Sequence, residues 1–208
     1  MTAGAWHAWL HEARRCGRGA LVLPLLAALT AWAATATGPG GGALLSRALI
    51  TTAVPATTAL ACATVVAREP MAELHLTLPT GYPRTVARRL CWPAGVTAAA
   101  AVGLAVALTA TDRPLGIAVL LTELAGLTVL LTGCAVWATV RAGSAGAGAG
   151  LIAAVCLAKL LLVDRIAPHG APQGLPASMT GIALTALALQ TLGDAERSGV
   201  LTRDHQEG

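Results

Sequence analysis

The chain has 208 residues, of which 55% are hydrophobic and only 12% charged, with a mean hydropathy of +0.68. A soluble domain is roughly a quarter charged, so this composition excludes an ordinary soluble protein and indicates a polytopic membrane protein. The net charge of +4 is too small and too dispersed for a nucleic-acid binder, and its distribution between loops carries more information than its sum.

At the start of the chain Trp6, Trp9, Leu10 and Ala13 recur at i, i+3, i+4 and i+7, with His7, His11, Arg14 and Arg15 off that stripe. The pattern predicts an amphipathic helix over residues 1–18 lying in the membrane interface, Trp rings at headgroup depth and arginines toward anionic lipid. A solvated tail is the plainer alternative. The segment is too long and too patterned for a signal-peptide n-region, and no clear cleavage site follows it.

Six apolar stretches come next, at about 19–37, 44–66, 91–111, 115–140, 151–167 and 177–192. Each is near the roughly 20 residues needed to span a bilayer, so the expected fold is all-α with six transmembrane helices. A GPGGG turn (Gly38 to Gly42) parts the first two, a polar loop over 67–90 the next two, and Asp112-Arg113-Pro114 the third and fourth. The run Gly143 to Gly150 reads as a glycine-rich link, Pro168 to Pro176 as a Pro and Gly connection, and 193–208 as a loose polar tail.

Six spans put both termini on one side. Arg14, Arg15, Arg18, Arg68, Arg84, Arg88, Arg89, Arg141, Arg197 and Arg203 then share a face, whereas only Arg47 and Arg113 clearly lie on the other. The positive-inside rule makes the termini and the 67–90 loop cytoplasmic, in an inner or plasma membrane. Trp92 and Trp137 fall at the inner interface and Trp32 at the outer.

Glu123 and Lys159 are the ionisable groups deep in apolar sequence, and each is costly in lipid if unpaired. Each stands eight residues from the outer end of its span, Leu115 and Ala167 respectively. At 1.5 Å per residue both lie at about 12 Å depth, so they can pair. Such a pair either fixes helix register or lines a substrate path. Asp164 and Arg165, near the boundary, can snorkel and are assigned no chemistry.

The chain shows no GxxxxGK[ST], HExxH or GxSxG, and His7 and His11, spaced for a metal at i and i+4, lack a third nearby ligand. The five cysteines form no CxxC and read as free thiols. No catalytic residue, metal or cofactor is therefore expected in this chain, and transport or scaffolding is favoured over an enzyme.

The loop AREPMAELHLTLPTGYPRTVARR, Ala67 to Arg89, carries Glu69, Glu73 and a late cluster of arginines, with Pro70, Pro79 and Pro83 between. Pro70 can start a short helix and Pro79 end it. Met71, Leu74 and Leu78 then form one apolar face, with Glu69 and Glu73 at the positive end of the helix dipole. Such a ridge suits a groove on a soluble partner, and a loop solvated on the headgroups is the alternative.

The segment Glu73-Leu74-His75-Leu76-Thr77-Leu78-Pro79, preceded by Glu69 and followed by a basic return to the membrane, resembles the first cytoplasmic loop of type-2 ABC transporter permeases. His75 and Thr77 stand where that family often has an aliphatic residue and Ser, and the outer segment before the sixth span is brief. The resemblance implies a permease subunit of an exporter, with a coupling helix at Glu69, Met71, Glu73, Leu74 and Leu78. It also implies a separate ATPase binding ATP and Mg, and a second permease chain. A non-transporting membrane scaffold or immunity protein, which would need no ATPase, is the alternative.

Overall fold

A computed structural model describes residues 18–36, 43–67, 82–110, 116–167 and 170–204. The expected interfacial helix with Trp6, Trp9, Arg14 and Arg15 lies outside the described residues, as does the expected coupling helix with Glu69, Met71, Glu73, Leu74 and Leu78. Every described element is helical: α1 (Arg18–Ala36), α2 (Ala43–Ala67), α3 (Tyr82–Ala110), α4 (Ile117–Ala142), α5 (Ala145–Ile166) and α6 (Ala171–Asp204). Five of these are long and apolar enough to cross a membrane, and α1 holds a shorter apolar stretch, Val22–Ala34. By helix length and composition the chain is a multi-pass membrane protein.

Three core layers fix the directions of the helices. Ala31, Ile50, Leu104, Leu108, Leu120 and Leu124 pack at one end, from the end of α1, the start of α2, the end of α3 and the start of α4. Ala59, Ala63, Leu127, Leu131, Ala135 and Ile152 form the middle. Cys62, Val86, Leu90, Val136 and Ala188 close the other end. Residue numbers therefore rise through the layers along α2 and α4 and fall along α3, while contacts with α4 give α6 the direction of α4 (Gly174 at Thr122, Gly181 at Val129) and α5 the reverse (Gly148 at Ala135, Lys159 at Glu123). Both α2 and α4 contribute to all three; α4, which also packs on α5 and α6, is the central helix, and its sequence is apolar nearly all round, as a surrounded helix requires. Trp32 lies toward the first layer, Trp92 and Trp137 toward the last.

Among the described residues the α4–α6 contact is the most extensive. Gly126 faces Gly174 and Gly133 faces Gly181, and a Cβ on any of the four would come within 3.0 Å of the opposing backbone. Both helices thus carry glycines seven residues apart, two turns, on a shared stripe. That period matches two helices crossing at a shallow left-handed angle, and the missing side chains let the backbones touch.

Four boundaries differ from the sequence expectation: α3 starts at Tyr82 and takes in residues 82–90 of the expected 67–90 loop, and three others lie where helix continues through a Gly or Pro signal. The Gly143 to Gly150 run is not a link. Gly143, at φ +63°, ends α4 in the left-handed conformation, and α5 starts at once behind Ser144, whose Oγ accepts from Ala147 N–H at 3.4 Å. Gly148 is buried there because a Cβ would meet Thr139 Oγ1 at 2.6 Å and Ala135 O at 3.1 Å. Likewise, most of Pro168 to Pro176 is helix: α6 begins at Ala171, Pro172 fits its first turn, and the turn from α5 closes at Gly170, with φ +102°. Finally, the expected loose tail is helical through Asp204, the helix running on through both Gly193 and Gly199.

Pro24, Pro55 and Pro93 sit inside α1, α2 and α3, fully buried. Each removes an N–H from its helix, a defect membrane helices tolerate where neighbours supply other bonds. Beside two of them Thr58 and Thr97 join α2 to α3 through their hydroxyls, 2.6 Å apart.

Candidate functional site

At the first-layer end of the bundle, α4, α5 and α6 enclose a group of charged and amide side chains in otherwise apolar surroundings. Glu123 is carried on the buried side of α4, one turn before Leu127, and is only 2% exposed. Lys159, on α5, is 6% exposed. The structure brings the two together: Lys159 Nζ donates to Glu123 Oε1 at 2.8 Å. Equal depth in neighbouring helices of opposite direction makes this contact possible.

Lys159 has a second partner that the sequence reading left without a role. Its Nζ also donates to Asp164 Oδ1 at 2.7 Å, so Asp164 is not simply a boundary charge turned to water; its side chain is 21% exposed. In a regular α-helix residues i and i+5 stand about 140° apart around the axis. Here Lys159–Val163 is a π-helical turn, and Asp164 N–H bonds back to Lys159 O. That i to i+5 bond widens the turn and carries Asp164 round to the side of Lys159. Such single π turns concentrate at functional sites. Lys159 is thus held between two carboxylates, and Glu123 has a further contact of its own.

The fourth member is Gln173, which the sequence reading placed in a connecting segment. It lies in the first turn of α6, 9% exposed, and its Nε2 donates to Ala167 O at 2.8 Å, tying the start of α6 to the end of α5. That bond settles which end of the amide is which. Its Oε1 is buried and accepts no hydrogen bond. Glu123, Lys159 and Gln173 line a cavity of about 400 Å³ whose remaining walls are mainly apolar, including Leu127, Leu130 and Val155.

Chemically the site consists of charged and amide side chains in apolar surroundings. It has no nucleophile paired with a base, and among the described residues no three His, Cys, Asp or Glu side chains gather as metal ligands. Cys62, Cys91, Cys134 and Cys156 stand at separate places and form no disulfide. What the site offers is charge, a spare acceptor and apolar room inside a membrane bundle. Compared with protein family models, curated proteins and solved structures, the chain matches none.

Proposed function

We propose that the chain is the permease subunit of an ATP-driven exporter of the type-2 ABC class, working as a pair of permease chains with one separate ATPase on each. The carrying observation is the Ala67 to Arg89 sequence, with its Glu69 and Glu73-Leu74…Leu78-Pro79 pattern, running from the end of α2 to the first turns of α3. In support, α2 ends and α3 begins at the bundle end away from the ion cluster, so the sequence that carries the pattern is joined to the bundle at that end. With the termini and this loop in the cytoplasm, ATP-driven closure of the ATPases reaches the bundle through Pro70 to Leu78 and the residue 1–18 helix, and opens a path between the permeases.

Two features of the bundle support transport over scaffolding. Charges buried within a membrane helix bundle commonly mark substrate pathways, and here they border a cavity instead of a filled core. A scaffold has no need of either.

The test is co-purification with the P-loop ATPase expected from the neighbouring reading frame. The complex should form and raise ATP hydrolysis, and Glu73→Lys, Leu74→Glu and Leu78→Glu together should abolish both. Retention of the complex by the triple variant, or the absence of any effect of this chain on ATP hydrolysis, would overturn the reading.

A further inference from the structure

The floor of the cavity is α4 and its walls are α5 and α6, which each pack on α4 but, among the described residues, make no extensive contact with each other. Glu123, Leu127 and Leu130 follow one another along the floor at i, i+4 and i+7. One wall runs from Val155 to Val163 and the other from Gln173 to Thr180. The cavity is therefore a groove parallel to the helices. Val163, Pro176 and Thr180 are exposed at its rim, so it opens sideways, where a spanning bundle meets lipid.

Length and lining narrow the choice of occupant. At 1.5 Å per residue the floor and each wall extend about 10–12 Å along the bundle. The groove begins at the end where α5 turns into α6 and stops near the middle of the spans, since Leu130 and Val155 lie close to the midpoints of Ile117–Ala142 and Ala145–Ile166. A bilayer with a hydrocarbon core about 30 Å thick has leaflets about 15 Å deep, so the groove covers most of one leaflet and none of the other. Its polar groups offer little to an occupant: Glu123 and Lys159 are buried and bonded to each other, Gln173 Nε2 donates to Ala167 O, and the Thr180 hydroxyl donates to Pro176 O. What faces the space is mainly hydrocarbon, from Leu127, Leu130, Val155 and Ala177 among others. About 400 Å³ drawn out in this way suits a long, thin, apolar body better than a compact one.

We infer that the groove binds one acyl chain of a membrane phospholipid, from the leaflet on the side of the α5–α6 turn, with its methyl end at Leu130 and Val155 and its glycerol end toward Val163 and Pro172. The direction follows from the groove itself: headgroups stay at the membrane surface, and only the Val163 and Pro172 end lies near it. Water is disfavoured, because an ordered water needs several polar partners and this lining is apolar. The inference stands apart from the exporter function proposed above, since an acyl chain enters from the bilayer whether or not an ATPase is bound.

The test uses the full chain in lipid nanodiscs doped with phosphatidylcholine that carries a photoactivatable diazirine in one acyl chain, with adducts located by tandem mass spectrometry. Two probes are compared, one with the diazirine near the methyl end and one with it near the carboxyl group. Lipid that only surrounds the bundle marks exposed residues such as Leu26 and Leu29 on α1, whereas Leu127, buried on the groove floor, is reached by a chain inside the groove. The methyl-end probe should mark Leu127 and Leu130, and the carboxyl-end probe Val163 and Pro172. Ala158→Phe and Ala177→Phe fill the groove from its two walls. Each should cut the label on Leu127 and Leu130 about fivefold or more and leave that on Leu26 and Leu29 unchanged, because a packed site has no room for further methylenes. Ala153→Phe, exposed on α5 outside the groove, should change neither. No label on the floor, floor label indifferent to both wall variants, or the same residues marked by both probes would overturn the inference. The comparison of the two probes needs no variant and decides the matter if the filled grooves fail to fold.

Discussion

The helix α6 meets the rest of the bundle in two opposite ways. Against α4 it has no room at all: glycine faces glycine at two levels, and a single added carbon would run into backbone. Against α5, near its first turn, it leaves a cavity of about 400 Å³ beside three buried charged or amide groups. The two regions differ in what holds them. In a membrane the hydrophobic effect does little to press helices together, so the glycine seam depends on close contact and the polar region on paired charges and hydrogen bonds. The seam can therefore be broken by adding volume, and the cavity region by removing charge.

The largest effect expected is from adding volume to the seam. Gly133→Leu should prevent a stable α4–α6 contact and cost more than about 3 kcal/mol, beyond the usual range for overpacking, because the obstruction is Gly181 backbone and not a side chain that can turn away. The control is Gly103→Ala on α3, where a Cβ meets nothing within 4 Å. It should be neutral or stabilising by up to about 1 kcal/mol through helix propensity. Thermal unfolding in detergent, followed by helical circular dichroism, separates the two. Similar melting of both variants would show that the seam is not the contact it is described as.

Removing charge comes next. Lys159→Met removes the ammonium that bridges Glu123 and Asp164 and should cost about 3 kcal/mol or more, the usual weight of breaking a buried pair. Glu123→Lys and Lys159→Glu should each damage folding, and the double exchange should recover part of the loss in melting temperature. No recovery would mean that the two charges do not act on each other. Asp164→Asn should do less, about 1 kcal/mol, because Asp164 is part-exposed and an amide still accepts from Lys159.

Much of this contrast is legible in the sequence, for unequal reasons. Spans can be read because a 20-residue apolar run has few other uses, and the equal depth of Glu123 and Lys159 follows from counting along two such runs. The seam is present as Gly126 and Gly133 against Gly174 and Gly181, but glycines are so frequent in this chain that their common spacing stands out only once the helices are paired. Asp164 is hidden for a geometric reason, since regular helical spacing turns i+5 away and only the π turn brings it back. Gln173 is hidden by its neighbours: Pro172, Gly174 and Pro176 read as a connection, whereas the helix begins before them and uses Pro172 in its first turn. The Gly143 to Gly150 run misleads in the same way, its local flexibility overruled by the close approach of Gly148 to α4.

The smallest expected effect tests whether polar contacts hold helices when no charge and no cavity is involved. Thr58 and Thr97 hydroxyls lie 2.6 Å apart between α2 and α3, and each is also within bonding distance of its own helix, at Val54 O (2.8 Å) and Pro93 O (2.7 Å). Two hydroxyls supply only two protons for these three contacts, so one hydroxyl gives its proton to its partner across the helices while the other satisfies its own backbone. Replacing either one leaves the survivor its backbone carbonyl, and no buried donor is stranded. Thr97→Val should therefore cost only about 0.6 kcal/mol, typical of interhelical hydrogen bonds in membrane proteins. The double variant Thr58→Val, Thr97→Val should cost little more than either single change, because the interhelical bond is already gone after the first. A cost several times larger in thermal unfolding would mean that the hydroxyl pair, and not the surrounding packing of α2 on α3, holds those two helices together.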